Sequence, residues 1–282
     1  MGQIFNQFKT VILLSVLTAL MLFIGNFFGR TGFYVAIIFV VIMNLITYFF
    51  AHKIVLWMYN AKETKEKDFP KLYKMIREVS SLAKMPMPKV YLIPSEQSNA
   101  FACGRNPKHS SVAVTKGLID LMNDEELKGV LAHEISHIKN RDILVMTVAG
   151  TIAGVISYIA SMAQWAAIFG IGGDDDNGNF LSLILMAILA PILAMIIQLA
   201  ISRSREYMAD ESAAKLLHNS SGLSSALLKL EKDSKKHPMG FGNESTAHLF
   251  ISNPFTAKGM MSLLSTHPSI ESRVQKLKAM KV

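Results

Sequence analysis

The segment His133-Glu134-Ile135-Ser136-His137 places two imidazoles four residues apart, with a carboxylate directly after the first. On an α-helix this spacing returns side chains to nearly the same face, so His133 and His137 can share one metal ion. Glu134 lies on the adjoining face, within reach of a water that the metal activates. Hydrolysis uses this combination: a divalent ion polarises the bond under attack and acidifies the water, and the carboxylate takes the proton. Two histidines leave a zinc ion one protein ligand short if a further position stays open for water. Glu206, in Arg205-Glu206-Tyr207-Met208-Ala209-Asp210, is the best candidate for that ligand. Asp210 follows it by four residues on the same helical face, where it can accept a hydrogen bond from a ligating imidazole and fix its tautomer.

These residues need rigid elements to hold them. Asn123 can cap a helix, with Glu126 at its third position completing a capping box. Leu127, Val130, Leu131, Ile135 and Ile138 form the packed side of that helix, which runs through residue 139 or beyond. Upstream, Pro70 opens an amphipathic helix over 69–84, with Leu72, Met75, Ile76, Val79 and Leu82 at helical spacing. Val90–Ile93 and Ser111–Thr115 read as short strands, and Asn99–Gly104 as a third extended segment. A helix starting at Ile201 carries Glu206 and Asp210, and another contains Leu223, Ala226, Leu227 and Leu230. Lys, His, Pro, Gly and Asn are frequent over 234–259, which predicts a loop or partly mobile flap. A final helix is expected over 269–280.

Hydrophobic residues make up 51% of the 282-residue chain, more than an ordinary soluble domain of this length needs. The excess is concentrated in runs at 11–28, 33–51, 143–169 and 180–201. Each is long enough to cross a hydrocarbon layer of about 30 Å. Gly29-Arg30-Thr31-Gly32 predicts a tight turn joining the first two runs, and no small-x-small cleavage site marks the first as a signal peptide. The expected organisation is a transmembrane hairpin over 1–57, one part of a catalytic domain over 58–142, a second hairpin over 143–201 and the other part over 202–282. Lys and Arg number 14 in 58–142 and 12 from residue 202 onward, against Arg30 alone in the first turn and none in 170–179. The positive-inside rule therefore places both polar parts in the cytoplasm. The formal net charge of +8 comes with no basic patch interleaved with aromatics and no nucleic-acid module. Attraction to an anionic leaflet is sufficient to explain it, and no nucleic-acid partner is expected. The single cysteine, Cys103, excludes an internal disulfide and reads as a small buried hydrophobe.

The ordered set resembles the M48 peptidase family, in its branch of bacterial membrane heat-shock proteases. It comprises an N-terminal membrane hairpin, Asn99-Ala100-Phe101-Ala102-Cys103-Gly104, His133 to His137, a second hydrophobic pair, Glu206 to Asp210, and Thr266-His267-Pro268. The resemblance implies a mostly α membrane protein with a small β-sheet: four transmembrane helices plus a cytoplasmic gluzincin-like metalloprotease domain. It implies one catalytic Zn2+ on His133, His137 and Glu206, with Glu134 as base. Asn99, Ala100, Phe101 and Ala102 would lie in an edge strand that binds substrate. His267 is the first candidate for a donor to the transition state and His248 the second. Arg203, Arg205 and Arg273 are equal candidates to pair with Asp210. The implied activity is zinc-dependent endopeptidase cleavage of misfolded or membrane proteins at the cytoplasmic face of the bacterial inner membrane, in protein quality control. A noncatalytic membrane adaptor with a structural zinc is the competing class, and it would need a closed coordination shell; four short-looped spans without a central ionisable relay give little reason to read a transporter.

Overall fold

A computed structural model describes residues 29–149, 151–152, 203–237, 244–252 and 268–280, together with 11, 12, 14, 15, 18, 19, 22 and 26. Helix α1 spans Gly29–Met58. It is apolar all round, with a mean hydropathy of 2.4 over its most apolar window, and its 30 residues extend about 45 Å at 1.5 Å per residue. Among the described residues it is the one helix long and apolar enough to cross a bilayer. The predicted four-residue turn at Gly29–Gly32 is corrected: Gly29 alone takes the left-handed conformation, with φ 70°, and Arg30 to Gly32 are already helical. Glycine absorbs that conformation without a Cβ penalty, so α1 starts earlier than expected. The first apolar run meets it through Asn44, whose side-chain amide donates to Thr18 Oγ1 at 2.9 Å. Most of the second predicted hairpin lies outside the described residues. Its first residues are helical over 143–149 and 151–152, and Thr151 Oγ1 donates to Ala51 O of α1 at 3.2 Å.

Helix α2 (Pro70–Leu82) forms where the apolar spacing places it, burying Leu72, Met75, Ile76 and Val79. The sheet consists of β1 (Lys62–Glu63), β2 (Lys89–Ile93), β3 (Ala100–Asn106) and β4 (His109–Thr115), in the order β1-β2-β4-β3. β2 runs parallel to β4, and β3 closes against β4 as an antiparallel edge strand. Gly104, with φ 142°, sits where the β3–β4 register shifts, and a Cβ there would lie 2.3 Å from His109 O. Residues 116–121 form a short helix, α3 (Lys116–Leu121), capped by Thr115, whose Oγ1 accepts from Leu118 N at 3.2 Å.

Helix α4 (Asp124–Lys139) begins with the predicted capping box. Asn123 Oδ1 accepts from Glu126 N at 2.9 Å, and Glu126 Oε2 accepts from Asn123 N at 3.0 Å. Glu126 is buried and also accepts from Ser225 and Lys229 of α6 (Ser221–Lys236). Burial raises its pKa, but these hydrogen bonds outweigh that and hold the carboxyl below its usual range. The two helices approach closely: a Cβ on Gly129 would lie 2.7 Å from Leu223 N. Replacing Asn123 with Ala is expected to cost about 0.5–2 kcal/mol, read as a lower urea midpoint with an unchanged slope.

Helix α5 (Arg203–Leu217) lies along α4, and α7 (Ile270–Ala279) closes over α5 and α6. One apolar cluster joins α2, the sheet, α4, α5, α6 and α7. A second joins the end of α1 to β3 and to Leu249 and Phe250. In it Phe250 stacks edge-on against Tyr59 and Phe101, at centroid distances of 4.8 and 5.1 Å. The flap expected over 234–259 is therefore corrected in its described part. Residues 244–249 form a 3-10 helix, Leu249 and Phe250 are buried in this cluster, Ile251 is buried in the first one, and Ser252 is buried with its carbonyl accepting from the Asn99 amide.

Candidate metal and catalytic site

Packing of α4 on the sheet and on α5 buries the whole His133–His137 turn. Four-residue spacing brings His133 Nε2 and His137 Nε2 to 3.1 Å, with the rings at 89°. Glu206, in the first turn of α5, reaches the same point: its Oε2 is 3.7 Å from His133 Nε2 and its Oε1 is 3.5 Å from His137 Nε2. One donor atom from each of these three buried residues lies within 4.8 Å of the others, so together they can hold a metal ion.

Both imidazoles turn Nε2 to that common point and Nδ1 away from it. His133 Nδ1 donates to Asp210 Oδ1 at 2.9 Å, and His137 Nδ1 donates to Asp142 Oδ2 at 3.1 Å. Carboxylates on Nδ1 orient both rings with Nε2 toward the centre and favour the tautomer that would offer Nε2 to a metal ion. Asp210 is gripped in turn by Arg273 of α7, through Nε to Oδ2 at 2.8 Å and Nη2 to Oδ1 at 2.7 Å. Arg273 is fully buried, donates Nη1 to Ile251 O at 2.9 Å and lies 3.5 Å from Glu206 Oε2. Of the three arginines that the sequence left equal, this one pairs with Asp210. Arg203 is exposed, whereas Arg205 is buried with the charges of Asp142 and Glu206 acting on it.

These neighbours set the protonation states. Burial lowers the pKa of His133, and the charges of His137 and Arg273 add to that against the pull of Asp210. Burial opposes protonation of His137 as well, but its hydrogen bond to Asp142 and the charges of Glu206, Asp142 and Glu134 outweigh it and raise its pKa to about 9. Glu134 is 1% exposed and accepts a hydrogen bond from Ala102 N. Burial, with the charge of Glu206, pushes its pKa up to about 7. The Cys103 thiol is buried and its pKa is pushed well up by burial, which leaves it an inert core group.

The sequence profile of Peptidase family M48 matches residues 66–281. The chain belongs to that family. Proteins named "Protease HtpX homolog" align with this M48 chain over nearly its full length. The one from Thermodesulfovibrio yellowstonii is 52% identical, covering 98% of each chain. The one from Syntrophobacter fumaroxidans is 49% identical, covering 98% of this chain and 99% of the relative. The one from Aquifex aeolicus is 50% identical, covering 92% and 87%. Among solved structures, Ste24p from S. mikatae superimposes with a TM-score of 0.53 at 20% identity, covering 98% of this chain and 66% of its own. That likeness concerns the fold. The M48 chain is thus a metalloprotease.

The remaining predicted site residues of this M48 peptidase fall in different places. Asn99, Ala100, Phe101 and Ala102 are all buried at or beside the edge strand β3. Its outward groups are engaged within the chain: Ala100 O accepts from Ile251 N at 3.2 Å, Ala102 N donates to Glu134, and Gly104 N donates to Thr147 Oγ1 at 3.0 Å. The Asn99 side-chain amide donates to Ser252 O at 2.6 Å, tying the 251–252 segment to that edge. His248 is buried, with Nε2 3.4 Å from Met146 O. His267 lies outside the described residues. The sequence reading missed Asp142. The available signal was a carboxylate just past the end of the metal-binding helix, where Arg141 takes φ 63° and turns the chain back.

Proposed function

We propose that this M48 metalloprotease is a zinc-dependent endopeptidase that cuts misfolded or membrane proteins at the cytoplasmic face of the bacterial inner membrane, in protein quality control. The observation that carries the reading is the convergence of His133, His137 and Glu206 from two helices. Their donor separations of 3.1, 3.5 and 3.7 Å bracket the spacing of ligands held tetrahedrally at zinc distances, about 3.3 Å. Two imidazoles and one carboxylate also suit zinc better than a hard-oxygen cation and leave a position for water, which an adaptor with a closed shell would lack.

When bound, zinc supplies Lewis-acid polarisation of the scissile carbonyl and a lowered water pKa. The chain's own residues do the rest. Glu134 takes the proton from the attacking water and returns it to the departing amine. Asp210 and Asp142 hold the imidazoles, and Arg273 holds Asp210. His267 and His248 remain the candidate donors to the transition state. A peptide adding to β3 through Asn99–Ala102 competes with Ile251 for Ala100 O, so substrate entry requires the 251–252 segment to yield.

The same reading keeps four spans and a divided catalytic domain, with boundaries at 1–57, 58–142, 143–201 and 202–282. It is supported by the apolar α1, the Asn44–Thr18 and Thr151–Ala51 contacts and the distribution of Lys and Arg. The bilayer and unfolded or membrane proteins are its partners; nucleic acid is not.

The test is zinc-loaded, detergent-purified protein incubated with an unfolded membrane protein, with product termini read by mass spectrometry. Cleavage should stop on chelation and return with zinc; an intact substrate at full zinc occupancy contradicts the reading. Glu206→Ala should lose bound zinc, and full metal content in that variant would remove Glu206 from the ligand set. Asp142→Asn should weaken zinc binding by about 10–100-fold in chelator competition, because the amide cannot enforce the same tautomer.

A further inference from the structure

Several basic side chains on the polar domain meet carboxylates, as in Arg77 with Glu66, Lys128 with Glu78 and Lys89 with Glu63. Where the β3–β4 hairpin touches the end of α1, two cations instead lie against exposed aromatic rings. The Arg105 guanidinium lies 5.0 Å from the centre of the Phe49 ring, and Lys53 Nζ lies 5.3 Å from that of Phe50. Among the described residues, neither cation has a carboxylate within ion-pair distance. The charges of Lys53 and Arg105 both reach His52, so the two cations share one neighbourhood. Lys89 also acts on it, but Glu63 neutralises that lysine.

The setting defines the counter-charge. Phe49 and Phe50 belong to the outward apolar face of α1 that continues through Leu45, Ile42 and Ile38. One turn beyond Lys53, Trp57 is 77% exposed, in the position of an aromatic anchor at a membrane–water boundary. A lysine and an arginine lying along aromatic rings at that level extend their charged ends toward headgroups while their stems stay on apolar surface.

We infer that Lys53 and Arg105 form a headgroup site for an anionic phospholipid of the leaflet around the end of α1. The inference rests on the proposed membrane placement of α1. Arg105 belongs to β3, whose Ala102 N bonds Glu134, so a lipid held here fastens one end of the strand that lines the active site. The partner is a lipid rather than a free anion because the cations flank exposed lipid-facing rings.

The test uses the full-length chain with Trp165→Phe, leaving Trp57 as its fluorophore, in nanodiscs of phosphatidylcholine with a minority of phosphatidylglycerol. Bromine is carried by one lipid or the other. Brominated phosphatidylglycerol should quench Trp57 well beyond its mole fraction. Lys53→Gln and Arg105→Gln should each reduce that enrichment by about five-fold, and Lys53→Arg should retain it. Quenching by both lipids in proportion to their abundance overturns the lipid site while leaving the membrane placement standing. Absence of quenching by either lipid overturns the placement itself, and the site with it. Unchanged melting and detergent-phase peptidase activity of the two Gln variants would show that the loss is one of lipid selection.

Discussion

Replacing Glu134 with Gln is expected to lower peptide-bond cleavage by about 10²–10⁴-fold while leaving zinc content unchanged. The amide keeps the length and volume of the carboxylate, and its oxygen can still accept the hydrogen bond from Ala102 N. What it loses is the capacity to take a proton and give it back. Glu134 is placed for that exchange: it is buried next to His137 and its pKa is pushed up to about 7 without a metal, close to neutral working conditions. Below its pKa the carboxyl is already protonated and cannot act as base, so kcat/KM falls as pH drops through it. A divalent charge on the neighbouring donors favours the ionised form, which places that acid limb below 7 in the zinc-loaded enzyme. Metal analysis and initial rates on the same preparation check the prediction. An unaltered rate would assign the base elsewhere.

Arg273→Met should destabilise the fold by about 3–5 kcal/mol, a large fraction of a typical total. Arg273 is fully buried, Asp210 is 3% exposed, and the two share a bidentate contact. Methionine fills much of the vacated volume but leaves Asp210 without its counter-charge and Ile251 O without its donor. A shift of the urea midpoint in detergent measures the cost. Pairing the substitution with Asp210→Leu removes the stranded carboxylate and should recover most of the stability. Zinc affinity should stay low in the double variant, because His133 has lost the group that orients it. Recovery of both properties together would argue that Asp210 has no part in metal binding.

Local rules made much of this site legible. His133 and His137 share a face because they are four residues apart, and Asn123 with Glu126 announces where their helix starts. Glu206 and Asp210 follow from the same periodicity, as do α2 and α7. What escaped local rules depends on chain reversals and distant packing. Asp142 meets His137 through the turn at Arg141, and nothing in the helical spacing reports a turn beyond its end. Arg273 differs from Arg203 and Arg205 only through the docking of α7. β1 is two exposed polar residues held by pairing to β2, and α3 is a single capped stretch of six. In 244–252 the surrounding composition suggested a loop, but Leu249-Phe250-Ile251 carried the apolar signal of a segment that needs a partner, and Tyr59 with Phe101 supplies it.

The order in which the Arg273 clamp is completed has a bearing on biosynthesis. The imidazoles, then Glu206 and Asp210, emerge from the ribosome well before Arg273 does. Until α7 docks, Asp210 lacks the guanidinium that grips it, although the two ligand-bearing helices already pack on each other. The last helix to be synthesised thus completes a charge pair that the earlier helices have already prepared.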